Sequence, residues 1–122
     1  FPGILKGALL VRASKVTDKM AIAAAYSLAN YAEKRGIDPE NIVPTMDEAE
    51  VFPVEAADVA MQAIKDGVAR VEMTWDEAFQ KAKKDIEYSR GMTKLVMDNG
   101  YIDAPGDDML QDAIEWAIEK VK

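Results

Sequence analysis

Apolar residues recur at helical spacing through most of the chain. Ile4, Leu5, Ala8, Leu9 and Val11 follow a Phe1-Pro2-Gly3 turn and predict a short first helix. Gly7 lies inside it, where glycine costs about 1 kcal/mol relative to alanine, so a neighbouring element is expected to press on that spot. A second helix is predicted from the N-cap Thr17 and the dipole-matched Asp18, through KMAIAAAYSLANYAEKRG, to a stop at Gly36. Alanines at 21, 23, 24, 25, 29 and 32 make nearly its whole surface small, which places this helix near the centre of the packing.

IDPENIVPTMDEAEVFP reads as a connector carrying three prolines, in which Ile42 and Val43 form at most a short extended piece before Pro44. Pro53 is expected to open a third helix at its first position, with Glu55 in the opening turn and Gly67 past the end. Val54, Ala57, Met61 and Ile64 fall near one face of it. Thr74 and Glu77 have capping-box spacing ahead of one long helix, or two joined at Gly91, ending by Gly100. Its stripe is Trp75, Ala78, Phe79, Ala82 and Ile86, then Met92, Leu95 and Val96. A last amphipathic helix follows, with Asp108 as its cap and Gln111 three positions on. Leu110, Ile114, Ala117, Ile118 and Val121 form its seam, with Trp116 at the flank. The fold class is therefore mainly α, with about five helices and little or no sheet.

Composition narrows the function. The 122 residues are 49% apolar and 30% charged, which fits one globular unit. A net charge of −7 repels nucleic acid and anionic membranes, so neither is expected as a partner. No apolar run approaches the roughly 20 residues that span a bilayer, and no signal-peptide pattern opens the chain, so a cytoplasmic location is expected. Cysteine and histidine are both absent. That removes thiolate nucleophiles, thiolate and imidazole metal ligands, and the usual general base near neutral pH.

The remaining candidates are carboxylates, lysines and tyrosines. Asp47, Glu48 and Glu50 form the densest acidic cluster, and hard cations take such oxygen ligands. A solvated acidic loop ahead of a helix is the favoured reading over a metal site. Asp103, Asp107 and Asp108 read as turn and cap residues. Lys81, Lys83 and Lys84 interleave with Glu77 and Asp85, which favours helix-surface ion pairing over anion steering. Tyr26 and Tyr31 read as packing residues, and Met92 and Met97 as gap-fillers. Gly3 and Gly7 have neither dinucleotide-loop nor P-loop spacing. No catalytic residue and no metal ligand is assigned.

FPGILKGALLVRAS resembles a segment of the malic enzymes, NAD(P)-dependent oxidoreductases that decarboxylate malate to pyruvate. VTDKMAIAAAYSLA and NIVPTMDEAEVFPVEAADVAMQAIKDGVAR extend the resemblance, with the EVFP form pointing to the short bacterial and archaeal type. It covers roughly residues 1–100, most specifically the first 70, and leaves the last helix, within about 101–122, unmatched. The resemblance implies the C-terminal end of a Rossmann-like NAD(P)-binding domain plus following helices, and so the back part of a longer enzyme. It implies NAD or NADP and a divalent metal, Mg or Mn, for the parent, with the dinucleotide loop, catalytic tyrosine and lysine, and metal carboxylates upstream. For this chain alone it implies no cofactor and no catalysis, only an indirect role for Phe1, Pro2 and Gly3. These three would support an asparagine-bearing loop that contacts malate and the nicotinamide ribose. The rest of the enzyme, or a second subunit in a homo-oligomer, would cover an apolar face left open here. A stand-alone helical interaction module is the alternative.

Overall fold

The computed structural model describes residues 2–103 and 106–121, the side chain of Asp107 excepted. Five helices follow in order: α1 Pro2–Leu10, α2 Asp18–Arg35, α3 Val51–Lys65, α4 Trp75–Asp98 and α5 Asp107–Val121. The described residues contain no strand, only an isolated bridge between Asp38 and Asn41. The chain divides into two compact units, Phe1–Glu87 and Tyr88–Lys122, with α4 running through the division.

The core of the first unit is built on α3. Its sequence, VFPVEAADVAMQAIK, is apolar around most of the circumference, and such a helix must be covered on several sides. Val51, Pro53, Ala56, Ala57, Val59, Ala60 and Ala63 are all buried. Both α1 and α2 pack on it. This corrects the expectation that the alanine-rich α2 holds the centre: α2 buries only Met20, Ala24, Ser27 and Ala32. Small side chains permit close approach, but α2 carries charged and polar residues around much of its circumference, whereas α3 is apolar on nearly every side and can bury area against several neighbours. Tyr26 accordingly lies exposed rather than packed, while Tyr31 is half-buried.

α1 and α3 approach closely at Gly7. A Cβ there would lie 2.5 Å from the Ala56 carbonyl oxygen and 2.7 Å from Val59 Cβ. The glycine is the condition for this contact, as its position inside an apolar run implied. Two helix ends are then stitched together. α1 closes with Arg12 N–H on Leu9 O (3.1 Å) and Ala13 N–H on Ala8 O (2.8 Å), with Arg12 at φ 49°. α3 closes identically, with Gly67 N–H on Ile64 O (3.0 Å), Val68 N–H on Ala63 O (3.1 Å) and Gly67 at φ 68°. Both are Schellman motifs. Beyond them, Ser14 N–H donates to Val68 O at 2.9 Å, and Arg70 and Val71 N–H both donate to Val11 O at 2.9 and 3.1 Å.

Several boundaries differ from expectation. Pro2 is already helical, so Pro2-Gly3 opens α1 rather than preceding it. Phe1 lies outside the described residues. α3 begins at Val51, two residues before Pro53, because Val51 N–H finds Glu48 O at 3.2 Å. Proline is tolerated there since first-turn N–H groups have no intrahelical acceptor. Asp108 is the second residue of α5 rather than its cap. α4 is one uninterrupted helix through Gly91, opened by the reciprocal bonds of Thr74 and Glu77: Thr74 N–H to Glu77 Oε2 at 2.7 Å, Glu77 N–H to Thr74 Oγ1 at 3.3 Å.

In the second unit, taken by itself, Val96 is half-buried and the other described side chains are exposed. Met92, Met97, Leu110, Ile114, Trp116 and Ile118 all present large apolar surface. No described helix is long and apolar enough to cross a membrane.

Candidate functional site

The sequence marks the start of α1 as the position nearest to chemistry, and the structure builds a defined arrangement there. A helix leaves its first N–H groups without intrahelical acceptors. Proline has no N–H, so in α1 the first two described donors are the amides of Gly3 and Ile4. Glu55, from the second turn of α3, brings its carboxyl group against Gly3. Its side chain is 1% exposed. The ideal Cβ of any larger residue at position 3 would fall on the Glu55 carboxyl group, so Gly3 is what leaves room for it. Burial pushes the Glu55 carboxyl above its ordinary range.

Sequence reading named Pro2 and Gly3 and missed Glu55 as their partner. The signal was present. Glu55 is an acidic residue whose neighbours one turn away, Val51 and Val59, are both apolar and buried, a pattern that places a carboxylate inside the core.

The arrangement bears directly on dinucleotide binding. Helix N-termini are the usual phosphate sites of nucleotide-binding folds. Here that position is filled by an internal carboxylate, which would repel a pyrophosphate. The chain also carries no glycine-rich phosphate loop. Nor do the described residues group three His, Cys, Asp or Glu side chains to hold a metal ion.

The acidic connector has other work. Glu48 pairs with Arg35 Nη1 and accepts from Thr45 N–H at 2.9 Å, which holds its carboxyl below the usual range. Arg35 Nη2 also donates to Asn41 O at 2.6 Å, so Arg35 ties the connector to the end of α2. Of the lysine-rich stretch, Lys83 pairs with Glu87 at 3.8 Å, and Asp85 pairs with Lys6 of α1. Between α2 and α3 lies an open groove of about 470 Å³, lined by Lys19, Ile22, Tyr26, Asn30, Asp58 and Gln62 among others. Asp58 there accepts from Trp75 Nε1 at 2.7 Å, which pins the start of α4 against α3.

Residues 1–66 match the family model of the malic enzyme NAD binding domain. The crystal structure of *Entamoeba histolytica* malic enzyme is similar over 100% of this chain and 25% of its own, at 55% identity and a TM-score of 0.92. That of malic enzyme from *Pyrococcus horikoshii* Ot3 covers 79% of this chain and 22% of its own, at 38% identity and a TM-score of 0.72. The bifunctional malic/malolactic enzyme of *Bacillus subtilis* is 34% identical over 84 residues, 69% of this chain and 20% of its own length. The chain thus spans a quarter or less of these relatives. With a family model matching more than half its length and a shared backbone over all of it, the chain belongs to the malic enzyme family.

Proposed function

We propose that this chain is the helical rear part of the NAD(P)-binding domain of a malate oxidoreductase that decarboxylates malate to pyruvate. The observation that carries this reading is the 55% identity to *Entamoeba* malic enzyme, sustained over the whole chain at a TM-score of 0.92. In the reading, a Rossmann-like sheet, the dinucleotide loop, the catalytic tyrosine and lysine, and the carboxylates for Mg or Mn belong to the remainder of the enzyme. Phe1, Pro2 and Gly3 support the loop that meets malate and the nicotinamide ribose. The exposed apolar residues of α4 and α5 support docking onto that remainder or onto a second subunit, in a cytoplasmic homo-oligomer.

The chain by itself neither binds the dinucleotide nor turns over malate. Calorimetric titration of residues 1–122 with NAD and NADP tests the first part, and stoichiometric heat would overturn it. Assay of the full-length enzyme that carries this chain tests the second. Malate-dependent NAD(P) reduction that stops on chelation of divalent metal is the expected result.

A further inference from the structure

We infer that Glu55 is a positioning residue of the enzyme, fixing the start of α1 by seating its buried carboxyl group against Gly3. The inference rests on the malate-oxidoreductase reading above. Three observations converge on it. Glu55 is almost wholly buried, its carboxyl group lies where a Cβ at position 3 would fall, and only glycine there leaves room for it. Proline locks φ one residue earlier, so little freedom remains where the chain joins the helix.

The support behind Glu55 is equally rigid. Only four residues further along α1, Gly7 seats against Ala56 O and Val59 Cβ, the next residue and the next turn after Glu55. α3 therefore cannot slide along α1 without breaking that contact. Displacements of about 1 Å remote from the chemistry are known to cost on the order of a hundredfold in rate.

The test uses the full-length enzyme with Glu55→Gln, Gly3→Ala and both together. Glutamine replaces one carboxyl oxygen by an NH₂ and removes the charge, and alanine at 3 displaces the carboxyl group. Each single variant is expected to stay folded by circular dichroism yet lose about ten- to a hundredfold in kcat/KM. The loss should lie mainly in kcat, with melting temperature shifted by only a few degrees. Because both changes break one contact, the double variant should be no worse than the worse single one. Either folded variant keeping kcat/KM within about twofold overturns the inference, as does a loss that merely tracks the folded fraction. If Glu55→Gln fails to fold, Gly3→Ala decides by the same criteria. An unsubstituted enzyme with no malate-dependent activity overturns the functional reading itself, and this inference with it.

Discussion

Thr17 Oγ1 donates to Asp66 Oδ2 at 2.6 Å while accepting Met20 N–H at 3.2 Å, so one hydroxyl caps α2 and ties it to the end of α3. Gln62 Nε2 completes the site on Asp66 Oδ1 at 2.8 Å. Thr17→Ala should cost about 1–2 kcal/mol, the range for losing an N-cap, whereas Thr17→Ser should cost a few tenths. Urea unfolding midpoints check this. The Thr17 bond, then Gln62 and the lysine charges, hold the Asp66 carboxyl below its ordinary 3.8. A depressed carboxylate stabilises the fold above its unfolded pKa and loses that contribution as pH falls through the folded one. Asp66→Asn should therefore be less stable than the parent at neutral pH, with the gap closing as pH drops below 3.8.

The two mid-helix glycines should respond in opposite directions. Gly7→Ala drives a methyl into Ala56 O and Val59, and overpacking of this kind costs about 1–3 kcal/mol. Gly91 has nothing within 4 Å of an added Cβ and an ordinary φ, so Gly91→Ala should stabilise by about 0.5–1 kcal/mol. Thermal melts of the two variants give the comparison.

Arg12 holds the left-handed position of the α1 terminator with φ 49° and its side chain exposed. L-residues lose about 1–2 kcal/mol in that conformation. Arg12→Gly relieves the strain at some entropic cost and should raise stability by about 0.5–1 kcal/mol. At Gly67, φ 68°, alanine should do the reverse. Denaturant unfolding of both variants checks the sign.

Glu55 has the opposite pH signature to Asp66. Its carboxyl is raised above the ordinary 4.5, chiefly by burial. Between that value and its folded pKa the native chain binds more protons than the unfolded one, so this group's contribution to stability falls as pH rises through the window. Glu55→Gln has no such titration. Subtracting its stability profile from that of the parent should leave a decline beginning near pH 4.5 and running upward. A flat difference would refute the assignment.

Much of this was legible in the sequence because the signals were local. Thr17, Gly36, Thr74 with Glu77, Gly67 and Gly100 each sit where capping chemistry puts them. The five helices followed from those stops and from spacing. What escaped was non-local or atypical. Arg12 terminates a helix without the glycine that announces such ends. Glu55 packs on the start of a helix some fifty positions away, so no window on either segment contains both partners. The ranking of α2 and α3 failed because small residues indicate how close neighbours come, not how many there are.

The oxygen of Val11 receives both Arg70 and Val71, and every atom in that joint belongs to the main chain. Only proline at 70 or 71 deletes a donor outright, although Val11 is itself held in the core by its buried side chain. The exit of α1 and the approach to α4 are thus coupled by a hinge pin that mutation seldom reaches.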